Sequence, residues 1–212
     1  MEINYISTGG VNRGLPLITR LKRYIDYIRI SNANEVARRY FVINSFDGTV
    51  TALGIILGAL IANIQYPGQV IDVGVATGLA LLISGITGTS IAEEAERDKI
   101  IRELEASMLT DMRNTIFEKA QRFAILYVGI VDGVSSFLSV LIALGPVFAS
   151  AFGFIDLSLA LQTSIVVCLI YLGVLGIFIG SYAKRSILKE TLKLIGIGIL
   201  TTIVVTILLY PT

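Results

Sequence analysis

The 212-residue chain has no histidine, no tryptophan, one cysteine and four prolines. Without histidine, imidazole metal sites and imidazole-based catalytic triads are excluded. The lone cysteine, Cys168, has no partner for an internal disulfide. Charge is scarce over long stretches. Between Arg39 and Asp72 the only charged residue is Asp47, and between Arg122 and Asp156 the only one is Asp132. There is none from Val73 to Ala92, from Leu157 to Ala183 or from Leu194 to Thr212. A soluble domain of this size carries more charge than the 16% found here.

Each of these stretches reaches or nearly reaches the roughly 20 apolar residues that cross a bilayer as a helix. With 54% hydrophobic residues and a mean hydropathy of +0.79, the expected fold class is an all-α integral membrane protein. Five transmembrane helices are predicted, at about 40–64, 70–92, 122–144, 157–182 and 191–210. The first 40 residues are polar and basic and lack the apolar core of a cleavable signal peptide.

The 17 Lys and Arg residues fall in three segments: seven before the first span, six between spans two and three, and four around the junction of spans four and five. The 65–69 loop, the 145–156 loop and the C-terminus have none. The positive-inside rule puts the N-terminus in the cytoplasm and the C-terminus outside or in a lumen. The expected organisation is a basic cytoplasmic segment at 1–39, spans one and two at 40–92, a cytoplasmic helical insert at 93–121, and spans three to five at 122–212. Within the first segment, Leu17, Leu21, Tyr24, Ile25 and Ile28 recur at helical spacing among Arg20, Lys22, Arg23 and Arg29. That pattern is a basic amphipathic helix lying on the inner membrane surface. Ser31–Asn34 reads as a break and N-cap. Tyr66-Pro67-Gly68 reads as a tight turn. The glycines of spans two, four and five suit close helix packing in lipid.

The two intramembrane carboxylates are the chemical signal. Asp47 and Asp132 lie 85 positions apart, and each is followed by glycine. Eight and ten residues beyond Arg39 and Arg122 respectively, they sit at depths of about 12 and 15 Å at 1.5 Å per residue, near the middle of the hydrocarbon. Both segments run from the inside outward, and each is followed by a glycine-rich return span. Spans 1–2 and 3–4 therefore read as two parallel helix-hairpin repeats with a fifth helix appended.

Charge at that depth is rare and usually functional. No Lys or Arg lies deep in any span to pair with these acids. Each must be protonated, face a wet cavity or bind a cation. Alternating between protonated and metal-bound states is the minimum machinery for proton-coupled cation transport. Asn44, Ser45, Thr49 and Thr51 are candidate oxygen ligands beside Asp47, and Ser135 and Ser136 beside Asp132. Oxygen-only sites suit Mg²⁺, Mn²⁺ and Fe²⁺. The plainer reading of either acid is a protonated group hydrogen-bonded across helices.

The insert concentrates acids. Glu93 and Glu96, three apart, and Glu96 and Glu103, seven apart, share a helix face. Met108 and Met112 lie four apart with Glu105 and Asp111 nearby, so carboxylates and thioethers together suit a borderline metal. The insert has no Gly or Pro and is predicted to continue the second span as helix, turning back near Thr110–Asn114. Its plainer reading is a solvated helix of alternating charge, since Arg97, Lys99 and Arg102 are interleaved.

FDGTVTALGIILGAL resembles the DG-containing first helix of the vacuolar iron transporter family. GSYAKRSILKETLKLIGIGILTTIVVTIL resembles that family's junction of spans four and five. The resemblance covers about residues 40–210 and places Asp47 on the family's intramembrane metal-binding aspartate. It implies a homodimer that exports Fe²⁺, and in some members Mn²⁺, from the cytosol in exchange for protons. The acids and methionines of its cytoplasmic domain would collect the metal. Where the family's second span commonly has methionine and glutamate, this chain has Gly85 and Thr89, and its cytoplasmic domain is shorter. An oxygen-only pathway of this kind suits Mn²⁺ or another hard ion.

The expectation is thus a divalent-metal/proton antiporter with metal at Asp47, Glu93, Glu96, Glu103, Glu105, Met108 and Met112, and with Asp47 and Asp132 on the proton or ion path. Expected partners are the transported Fe²⁺ or Mn²⁺, protons, the bilayer and a second copy. No permanently bound cofactor, nucleic acid or enzymatic activity is expected. A prokaryotic cell membrane, or a vacuolar membrane in a eukaryote, is the expected location. Two other classes stay open. One is a membrane metal sensor or scaffold that binds through the insert without transport. The other is a metal-dependent lipid phosphotransferase, because the Asp-Gly pair is similar to the start of the aspartate-rich motif of CDP-alcohol phosphotransferases. Against the latter, Thr49–Gly54 has no arginine and the next acid is Asp72.

Overall fold

A computed structural model describes residues 17–209. Residues 1–16 of the expected basic segment, the side chains of Leu17, Arg20 and Leu21, and Tyr210 at the end of the expected fifth span lie outside the described residues. The described chain is all helical: α1 (Leu17–Ile30), α2 (Ala33–Ile61), α3 (Pro67–Met108), α4 (Ile116–Ala143), α5 (Gly145–Ala151), α6 (Leu157–Tyr182) and α7 (Ile187–Leu209). Five of these, α2, α3, α4, α6 and α7, are long and apolar enough to cross a membrane.

Helix bounds follow backbone chemistry rather than hydropathy. α2 begins at Ala33, seven residues before the expected span. Charged Glu35, Arg38 and Arg39 are good helix formers that end an apolar run without ending a helix. Asn32 precedes α2 in the left-handed conformation with no side-chain cap bond, so it supplies the break expected at Ser31–Asn34 but not the cap. α3 runs for 42 residues, about 63 Å at 1.5 Å per residue, twice the hydrocarbon thickness. It stops at Leu109, which is left-handed at φ 51°. The chain turns over residues 109–115, and Thr115 opens α4 by accepting a hydrogen bond from the Glu118 amide at 3.2 Å. The short α5 lies where only a loop was expected.

α4 is central, packed most extensively against α3 and α2. α6 packs on α2 and α7, and α1 crosses the start of α4, where Tyr24 stacks on Phe123 at 5.2 Å. The interior has two apolar clusters. One lies at the α1 end around Ala33, Ala37, Ala124 and Val128. The other, toward the opposite end, gathers Leu53, Ile56, Val70, Val140, Leu144 and Cys168. Between them is a polar belt of buried Ser45, Thr49, Asp132, Ser135, Ser136 and Ser139. Large apolar side chains point the other way: Leu79, Ile83, Val166, Ile170, Val174, Leu200 and Ile203 are exposed. Small and polar inside with large and apolar outside is the pattern of helices solvated by lipid, where close backbone approach holds the bundle together.

Gly48 shows how close that approach is. A Cβ added there would sit 2.5 Å from the Ser136 carbonyl oxygen of α4. The neighbouring atom is backbone and cannot swing aside. Gly48→Val should therefore lower stability by roughly 1–3 kcal/mol as overpacking does, read as a reduced unfolding temperature in detergent. An unchanged temperature would mean that the α2–α4 crossing is looser than described.

Candidate functional site at the α2–α3–α4 crossing

The two aspartates occupy different environments. Asp132 is buried, 2% exposed. It lies where α4 meets α2 and α3, and both its carboxylate oxygens are occupied. Asn44 of α2 donates its side-chain amide to Oδ1, and Thr89 of α3 donates its hydroxyl to Oδ2 at 2.5 Å. Gly85 lets this happen. A Cβ there would fall 2.8 Å from the Gly133 Cα and 3.2 Å from Asp132 Oδ2. Three helices are tied by one side chain in a region of low dielectric, where each unmade bond is costly.

Asp47 lies three residues from Asn44 but points outward, and it is exposed on the flank of α2. Thr51, one turn on, is half-buried. Gly54 and Gly58 continue up the same side with nothing within 4 Å of an added Cβ. The flank thus presents a carboxylate, a hydroxyl and a bare strip of backbone.

Several expected ligands are engaged elsewhere. Asn44 serves Asp132 rather than Asp47. The Ser135 and Ser136 hydroxyls donate to the main-chain carbonyl of Asp132, at 2.7 and 3.4 Å, not to its carboxylate. Thr49 donates to the Ser45 carbonyl at 2.6 Å, and the buried Ser45 hydroxyl has no partner among the described residues.

The acids of the insert do not converge. Glu93 and Glu96 were expected on one face. Glu93 is buried and pairs with Arg97 Nε at 3.0 Å, whereas Glu96 points to solvent. Three residues advance a helix by about 300°, and the residual rotation is enough to separate a packed position from an open one. Glu103 and Met108 are exposed, and Met112 is half-buried beyond the end of α3. Because the helix stops at Met108, the two methionines are not stacked one turn apart. Glu105 accepts from the Met112 amide at 2.9 Å and so closes the turn. Among the described residues, no group of three or more Asp, Glu, Cys or His side chains is close enough to hold a metal.

Arg97, expected among the interleaved charges of a solvated helix, is buried, and Gln121 carried no sequence signal. Arg97, 3% exposed, also donates to the Ser31 carbonyl at 3.4 Å and to the Gln121 side-chain oxygen. It thereby joins the α1–α2 junction, α3 and α4. The only signal was the i,i+4 spacing of Glu93 and Arg97 in a segment of mixed charge.

Asp132→Ala leaves the Asn44 amide and Thr89 hydroxyl without their acceptor. It should cost about 1–3 kcal/mol, seen as a lower unfolding temperature in detergent. A stability equal to wild type would mean that the hub contributes nothing to holding the helices.

Among the described residues, the fold and site define an all-helical bundle with five helices fit to span a membrane and a buried carboxylate hub. No known family profile matches the chain. It is 27% identical over 181 residues to an uncharacterized protein of Methanocaldococcus jannaschii, covering 84% of this chain and 91% of that one.

Proposed function

We propose that the chain is a membrane transporter that exports a divalent metal, Fe²⁺ or Mn²⁺, from the cytosol in exchange for protons. The observation that carries this reading is Asp47, a carboxylate on the exposed flank of a helix fit to span a membrane, at an expected depth near the middle of the hydrocarbon. Lipid is a poor neighbour for it. A second copy of the chain meeting this flank would cover it, and the open backbone at Gly54 and Gly58 favours close helix contact there. In such a homodimer two Asp47 carboxylates, with Thr51 hydroxyls and water, supply the oxygen donors that a hard divalent ion takes. The metal is then substrate, and Asp47 alternates between it and a proton.

The insert's Glu96, Glu103, Glu105, Met108 and Met112 are proposed as the cytoplasmic collection surface, and Glu93 joins them only if it leaves Arg97. Asp132 is proposed on the proton path, because its hydrogen-bond partner Asn44 lies one turn before Asp47 on α2. The packing of α3 on α4 and of α6 on α2 supports the reading of two parallel repeats about the α2–α4 axis. The location of the basic residues supports a cytoplasmic N-terminus and an outer or luminal C-terminus, in a prokaryotic cell membrane or a vacuolar membrane. Metal flux by the purified chain in liposomes, with and without Asp47→Asn, tests the proposal; equal flux in the two would remove Asp47 from the mechanism.

A further inference from the structure

Arg38 and Arg39, in the first turns of α2, line a cavity of about 490 Å³ between α2 and the end of α6. Its walls are apolar, built from Val42 and Ile43 on one side and Phe178 and Ile179 on the other. Phe41 meets Phe178 edge-on at 6.0 Å. At the rim, the Arg38 guanidinium lies 4.0 Å from the centre of the Tyr182 ring, and its Nε donates to the Asn34 carbonyl at 3.3 Å. Among the described residues neither arginine forms an ion pair with a carboxylate, although Glu35 also lines the space. A second cavity of about 470 Å³ adjoins it, shares Glu35 and Arg38, and adds Arg29 from α1.

A cationic rim above an apolar slot selects its occupant. Arg38 and Arg39, with Arg29 in the adjoining cavity, outnumber Glu35 and repel a metal cation. A small aqueous anion gains nothing from the Ile43 and Phe178 walls. An anionic phospholipid satisfies both parts. Its phosphodiester oxygens accept from the guanidinium forks, and an acyl chain follows the slot between α2 and α6. The rim lies at the end of the bundle where α1 exposes Ile25 and Ile30 beside Arg23 and Arg29, an amphipathic surface suited to the headgroup level. Basic pockets between spanning helices are where anionic headgroups bind.

We infer that the Arg38–Arg39 cavity is a binding site for one anionic phospholipid of the leaflet on the α1 side. Ile43, one turn before Asp47, lines the slot, so the bound chain packs directly below the exposed carboxylate flank.

The test is native mass spectrometry of the full chain, extracted from bilayers holding equal amounts of phosphatidylglycerol and phosphatidylcholine. The expected result is one retained phosphatidylglycerol per chain in preference to phosphatidylcholine. Retention should fall about thirtyfold in the Arg38→Gln/Arg39→Gln variant, from about 1 kcal/mol per cationic side chain at 1.4 kcal/mol per decade. Ile43→Trp, which fills the slot and keeps both arginines, should lose the lipid as well; it decides the matter if the double variant does not fold by circular dichroism. No preference for phosphatidylglycerol, or a preference that survives both changes, overturns the proposal. Release of the lipid by millimolar inorganic phosphate alone also overturns it, because the slot would then contribute nothing.

Discussion

Asp47→Asn should lower metal flux into liposomes by on the order of 100-fold or more while leaving helix content and unfolding temperature unchanged. Removing even an outer partner of a metal ligand costs about 10–100-fold in affinity or activity, and Asp47 is proposed as a direct donor. Asparagine keeps the shape and one carbonyl oxygen. It loses the negative charge that attracts a divalent ion and the site that takes up a proton in its place. The fold should tolerate the change, because the side chain is exposed and makes no hydrogen bond among those described. Substitutions of that kind usually stay within about 0.5 kcal/mol. A neutral amide also sits at mid-depth more readily than a carboxylate. Flux within twofold of wild type in a folded variant would discard Asp47 as ligand. Flux lost together with the fold would point instead to a structural role.

Arg97→Ala should destabilise the protein by about 3–5 kcal/mol, the range for breaking a buried ion pair by removing one partner. Glu93 and Arg97 are 7% and 3% exposed, so the abandoned carboxylate has little water to turn to. Gln121 and the Ser31 carbonyl lose their donor at the same time. The paired change Glu93→Ala/Arg97→Ala should cost less than Arg97→Ala alone, because no uncompensated charge remains. Unfolding followed by circular dichroism in detergent measures both. A double variant as unstable as the simple sum of its singles would show that the two side chains do not act as a pair. The same geometry restrains any metal-binding role for Glu93, since a cation there must compete with a guanidinium 3.0 Å away.

Much of the fold was legible because hydrocarbon filters sequence so strongly. Charge-free stretches named the five spanning segments, and the 157–182 segment coincides with α6. What hydropathy does not report is where a helix ends in water. The early start of α2 shows this, since Glu35, Arg38 and Arg39 end the apolar run without ending the helix. α5 was missed because Gly145 and Pro146 read as loop residues, although proline is well tolerated in a first helical turn.

At the site, both acids could be named from their depth, but not the way each faces. α2 is apolar around most of its circumference, so its sequence fixes no rotational phase. Only packing shows that Asn44 looks inward and Asp47 outward. The Thr89–Asp132 and Asn44–Asp132 bonds join residues 43 and 88 positions apart, beyond the reach of any local pattern. Thr89 drew notice as a departure from a glutamate. Its hydroxyl proves to be a donor to the hub.

The most direct measurement of the central claim is metal entry into liposomes holding the purified wild-type chain, recorded together with internal pH for Fe²⁺, Mn²⁺, Co²⁺ and Zn²⁺. The account predicts entry of Fe²⁺ or Mn²⁺ above empty liposomes, with protons leaving as metal enters. It is contradicted if the folded protein binds metal but passes none of the four, or if metal passes with no change in pH.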